Sequence, residues 1–126
     1  MIIDIHTHTF PDKLASTTIP KLEQMSHTKS YVDGTSPKQV LHINDSSARI
    51  NEQFAQTGIF SFGCIHPDYD DYRAELARVK ELGLKGIKLH PVYQDVDFDD
   101  IRTLRILDRA AELGLIVLTH SGLDVG

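Results

Sequence analysis

Three observations predict an α/β fold with a parallel sheet. Short apolar stretches alternate along the chain with segments whose apolar residues recur every three or four positions, so strands and helices take turns. The stretches have few polar breaks, as expected of strands covered on both faces. Histidine also stands wherever such a stretch ends: His6 and His8, then His66, His90 and His120. In a parallel arrangement all those exits lie on one side of the sheet.

The first strand is Met1–Ile5, leading into His6-Thr7-His8. Side chains alternate along a strand, so Asp4, His6 and His8 share one face and Ile3 and Ile5 the other. Residues 11–35 follow with no sustained period; Pro11, Pro20, Gly34 and several Ser and Thr make this a long loop. Lys13, Leu14, Ile19 and Leu22 would form a short helix over the histidine face, a lid, or the segment is a simple surface excursion.

Ser36-Pro37 opens the first long helix with an N-cap residue and a first-turn proline. Val40, Ile43, Ser47, Ile50 and Phe54 form its apolar stripe, and Gly58 closes it. The second strand is Ile59–Ile65, ending at His66-Pro67. A second helix starts near Asp70-Asp71, buries Leu76 and Val79 and stops at Gly83. The strand Gly86–Leu89 then runs into His90-Pro91, where proline ends it sharply. The third helix starts near Asp99-Asp100, buries Ile101, Leu104 and Ala111 and stops at Gly114. Acidic residues at these helix starts suit the helix dipole. Leu115–Thr119 is the last strand, before His120-Ser121-Gly122. The tetrapeptide Glu-Leu-Gly-Leu recurs at 81–84 and 112–115, each time between a helix and a strand, as one structural unit used twice.

Composition narrows the function. The chain has 126 residues, the size of a single domain. A formal net charge of -5 argues against nucleic acid or an anionic membrane surface as the main partner. Cys64 is the lone cysteine, so there is no internal disulfide and no cysteine-based zinc site; a reducing, cytoplasmic setting is expected. The N-terminus enters a strand directly, without the basic and apolar parts of a signal peptide, and no apolar run approaches a membrane span.

His6 and His8 carry the chemistry. Two imidazoles two residues apart on a strand reach one metal ion without loop rearrangement, and zinc favours such nitrogen donors. A fraying strand end would also leave two exposed polar residues there. Histidine at every later exit favours the metal.

Taken together, Met-Ile-Ile-Asp-Ile-His-Thr-His-Thr-Phe-Pro at the start, Phe62-Gly63 with His66-Pro67-Asp68, Lys85-Gly86-Ile87-Lys88-Leu89-His90-Pro91, and Val117-Leu118-Thr119-His120-Ser121-Gly122 resemble the amidohydrolase-related family. This is the branch of the metal-dependent hydrolase superfamily that includes aminocarboxymuconate-semialdehyde decarboxylase. The segments span most of the chain in the family's order. The resemblance implies a (β/α) barrel with a divalent metal, zinc first, at the C-terminal ends of its strands. It implies His6 and His8 as first-strand ligands and His120 as the fifth-strand ligand. Lys88 shares a strand face with His90, and these two are the catalytic candidates. Lys88 would bind a substrate carboxylate, be carbamylated to bridge two metals, or be an interior lysine with its head at the strand exit. His66 and His90 are expected to contact substrate or support the ligands, and Asp4 to orient a ligand histidine.

The chain departs from the family in three places. The later-strand histidine and the last-strand aspartate, which completes the site and handles protons, have no matching positions. The family's second strand is also missing, because Asp33-Gly34-Thr35 passes directly to Ser36-Pro37. Residues 1–126 therefore read as one truncated amidohydrolase-like domain, a partial TIM barrel of about four strands and three main helices. Its expected function is a metal-dependent hydrolase or decarboxylase acting on a small organic substrate, weak or inactive alone. The alternative is a non-catalytic, half-barrel metal-binding protein. An open apolar sheet face, with Phe62, Ile116 and Leu118 placed on it, predicts a homodimer.

Overall fold

The computed structural model describes residues 36–56 and 60–120. The chain divides into two compact units, Met1–Tyr31 and Val32–Gly126, and every described residue belongs to the second. The expected first strand, His6, His8 and the 11–35 loop or lid lie outside the described residues.

Ser36 opens the first helical segment with a capping box: its hydroxyl accepts from Lys38 N, and the Gln39 side chain accepts from Ser36 N. A single 3-10 turn, Pro37–Gln39, leads into α1, Val40–Gln53. The helix stops at Phe54, ahead of the Gly58 stop that the sequence predicts, and Gly58 lies outside the described residues. Strands β1 (Gly63–Cys64), β2 (Gly86–Leu89) and β3 (Ile116–Thr119) form one parallel sheet in sequence order. Helices α2 (Tyr72–Glu81) and α4 (Ile101–Leu113) connect them, and a one-turn helix α3 (Pro91–Gln94) follows β2. Among the described residues this is a mixed α/β fold with three parallel strands and four α-helices.

β1 is much shorter than Ile59–Ile65. Phe60, Ser61 and Phe62 are described but have no strand pairing, because Asn51 takes up the backbone of Ser61 instead. Its amide donates to Ser61 O, and its side-chain oxygen accepts from Ser61 N.

Laterally paired residues of a parallel sheet share a face. Cys64, Lys88 and Leu118 therefore lie on one side and Gly63, Ile87 and Val117 on the other. Ile65, Ile87 and Leu89 join the core with Leu76 and Val79 of α2 and Ile106 and Ala110 of α4. Burying each of the isoleucine, leucine and valine side chains is worth about 1.5–3 kcal/mol.

The repeated tetrapeptide is one device used twice. Gly83 and Gly114 take left-handed φ values of 77° and 65°. The following leucine N–H reaches back five residues, Leu84 N to Val79 O at 3.2 Å and Leu115 N to Ala110 O at 2.9 Å. This pattern ends a helix with a buried leucine leading into the next strand.

The third long helix corrects the expected face. Ile101 is 73% and Leu104 44% exposed, and Ala111 is exposed as well. Thr103, Ile106 and Ala110 are the buried residues. The two stripes are offset by two positions, about 200° around a helix, and both are apolar enough to satisfy the spacing. The sheet selects the one carrying Ile106. Among the described residues no helix is long and apolar enough to cross a membrane.

Candidate active site at the strand exits

The three described strands end on the same side, and a histidine follows each end: His66 two residues after β1, His90 directly after β2, His120 directly after β3. His66 and His90 are buried, at 4% and 5% exposure, and His120 is half-buried. His120 N donates to Leu89 O, so the β2–β3 ladder runs up to the histidines themselves.

The rings of His90 and His120 are stacked, with centroids 4.3 Å apart and planes 10° from parallel. Tyr93 also lies against the His90 ring, with a centroid distance of 4.2 Å and a tilt of 51°. The stacking has a consequence for metal chemistry. Imidazole lone pairs lie in the ring plane, and a zinc–nitrogen bond is about 2.0–2.1 Å. Two nearly parallel, stacked rings cannot both aim a lone pair at one ion, so His90 and His120 cannot ligate the same metal.

His66 Nδ1 accepts the backbone N–H of Asp68 at 3.1 Å, which leaves its proton on Nε2 as a donor. The Asp68 carboxylate stands 4.0 Å from the same nitrogen, beyond hydrogen-bond range, and turns to Arg102 instead at 2.7 Å. Arg102 is also held by Asp100, the N-cap of α4, and this fixes the loop after β1 to the start of that helix.

Lys88 is half-buried, one residue before the end of β2. Burial pushes its ammonium below the ordinary lysine pKa. The pairing puts it level with Cys64 and Leu118, on the sheet face opposite Ile87. Cys64 is buried and unoxidised.

His66, Lys88, His90 and His120 are thus brought to one end of the sheet, while His6 and His8 lie outside the described residues. Among the described residues no group of three His, Cys, Asp or Glu side chains is placed to hold a metal ion.

Sequence reasoning missed α3 and its residues. Pro91 ends β2, as expected, but it also occupies the first position of a helical turn whose N-cap is His90. The Pro-x-x-Gln spacing after a potential cap was the available signal. Gln94, buried at 5% exposure, donates from Nε2 to Ile65 O at 2.7 Å and accepts from His90 N at 2.9 Å.

The family model described as amidohydrolase matches residues 3–126. No curated protein and no solved structure matches the chain. With nearly its whole length matched and His66, His90 and His120 at the ends of parallel strands, this chain belongs to the amidohydrolase family.

Proposed function

We propose that the chain is a metal-dependent hydrolase or decarboxylase of the branch resembling aminocarboxymuconate-semialdehyde decarboxylase, acting on a small organic substrate. In this reading residues 1–126 form a single amidohydrolase-like domain, part of a (β/α) barrel, with 11–35 as a long loop or lid. The supporting observation is the convergence of His66, His90 and His120 at one end of a parallel sheet, where barrel enzymes carry their chemistry.

His6, His8 and His120 would hold the ion, zinc first. When bound, such an ion activates water or polarises a substrate oxygen. The chain's own residues do the rest. His120 presents an imidazole whose ring is held against His90. His90, kept from ligating the same ion, faces substrate, and Lys88 on the same strand takes a substrate carboxylate. Its burial makes that pairing stronger than it would be in water.

Turnover by this chain alone is expected to be weak, since no residue matches the family's proton-handling aspartate. Losing a general base costs roughly 10²–10⁴-fold.

The test is metal content by mass spectrometry, with turnover of simple carboxylate, ester and amide substrates measured alongside. About one zinc per chain in the wild type, lost when His6 and His8 are both replaced by alanine, supports the ligand set. Unchanged metal in the double variant rejects it. Metal without any metal-dependent turnover moves the reading to a non-catalytic metal-binding protein.

A further inference from the structure

We infer that Gln94 is a positioning residue that sets His90 against His120, by fastening together the exits of β1 and β2. The inference deepens the reading above, in which His90 works beside the ligand His120.

The geometry is a two-ended clamp. The Gln94 carboxamide oxygen accepts the backbone N–H of His90 at 2.9 Å, and its nitrogen donates to the carbonyl of Ile65 at 2.7 Å. Ile65 immediately precedes His66, so one buried side chain fixes the backbone at both histidine-bearing exits. Strand pairing between β1 and β2 ends at Cys64 and Lys88. Beyond that point the clamp continues the connection, with a side-chain amide in place of a ladder rung.

Gln94 is itself held firmly. Its N–H bonds His90 O at 2.9 Å, closing the α3 turn. The next residue, Asp95, is the one non-glycine residue with positive φ among those described, at 52°. A left-handed residue directly after a four-residue helix carries a cost that persists only where the surroundings require it. Here it turns the chain so that Val96 N meets Pro91 O at 3.2 Å, which secures the turn bearing Gln94.

The ring of His90 has Tyr93 on one neighbour position and His120 on the other. With the backbone N–H of His90 and the turn both fixed, the side chain has little freedom to leave the stack. Without the clamp, the β2 exit loses this tie to β1, and a shift between the two exits carries the His90 imidazole out of register with His120.

The test reads the two rings directly. Stacked imidazoles displace each other's ring-proton resonances upfield, so the carbon-bound ring protons of His90 and His120 report the stack in NMR spectra of the full chain. Gln94→Met keeps the shape and removes the contacts to His90 N and Ile65 O, and it should abolish the displacement. Asn51→Ala removes a similar clamp, on Ser61, and should leave the displacement intact despite a comparable loss of stability.

Gln94→Glu keeps the acceptor for His90 N. It can donate to Ile65 O only when protonated, so it should match wild type at acid pH and diverge once the carboxyl ionises, each read against wild type at the same pH. A folded Gln94→Met chain with unchanged histidine resonances overturns the inference. So does a Gln94→Glu chain that follows wild type at every pH, and this variant decides the matter if the methionine variant does not fold. Zinc content is measured on the same wild-type sample. Absence of zinc there rejects the metal reading alone, while the ring resonances still decide the role of Gln94.

Discussion

Asn44 donates to Glu75 across a buried contact of 2.6 Å, and the same carboxamide closes on both backbone groups of Cys64. Helix α1 is thereby tied to α2 and to strand β1 through one side chain. Arg78 completes the group with paired hydrogen bonds of 2.8 Å to Glu75 and one of 2.6 Å to Asp45 on α1. Asn44→Ala takes a partner from three buried polar groups at once; Glu75 keeps Arg78, and the N–H and C=O of Cys64 lose the carboxamide, at about 1–3 kcal/mol for each group left unsatisfied. A loss of about 2–5 kcal/mol is expected, read from urea denaturation, and Asn44→Asp should cost more because it sets a carboxylate against Glu75. A loss below about 1 kcal/mol for Asn44→Ala would show that the network contributes little.

Gly86 of β2 pairs with Ile116 of β3. A Cβ there would run into the carbonyl oxygen of Ile116 and come within 2.9 Å of the Phe62 ring. The first of these is backbone, which cannot rotate aside. Gly86→Ala is expected to cost about 1–3 kcal/mol, as overpacking does, and to speed amide exchange along β3. An alanine variant as stable as wild type would mean that the two strands part without penalty.

Acid should weaken the α4 start through Asp100. Hydrogen bonds from the Arg102 side chain and then from its backbone N–H hold the Asp100 carboxyl down to about 2, against an ordinary 3.8. A folded-state value below the unfolded one adds stability that is complete above about pH 4 and fades as pH falls toward 2. Asp100→Asn keeps the capping oxygen and discards the charge. It should flatten this part of the Tm-against-pH curve and leave the pH 5–8 region unchanged in shape.

The two faces of α4 should respond differently to substitution. Ile106→Ala opens a cavity in the core and is expected to cost about 2–5 kcal/mol. Ile101→Gln, at an exposed position, should stay within about 0.5 kcal/mol of wild type. Equal losses at the two sites in thermal denaturation would contradict the observed orientation of the helix.

Self-association is the last expectation. Ile116 is 58% exposed and shares a sheet face with Lys88 and Leu118. A second copy of the chain covering this face would remove the apolar surface from water. Light scattering after size exclusion should give twice the 14.1 kDa chain mass, and Ile116→Asp should abolish the dimer. A monodisperse monomer at micromolar concentration would reject a homodimer.

Sequence alone determined what depends on local chemistry. Glycine was needed at 83 and 114 because the chain turns left-handed there, so both helix ends were legible. Ser36-Pro37 and Asp100 marked helix starts because unpaired N–H groups need an acceptor. Apolar runs with few polar breaks gave β2 and β3 nearly to the residue, and the histidines after them named the site's edge.

Tertiary structure decided whatever depended on a partner distant in sequence. Both stripes of α4 satisfy helical spacing, and only packing against the sheet chose Ile106 over Ile101. Phe60 and Phe62 have the composition of a strand, yet Asn51 competes for the backbone between them, and no periodicity encodes that competition. Gln94 looks like an ordinary polar residue after a proline. Its role arises because folding brings Ile65, 29 positions earlier, within reach of its amide. A hydrogen bond inside the core is strong because water is excluded, and only the assembled fold determines which polar groups are excluded together.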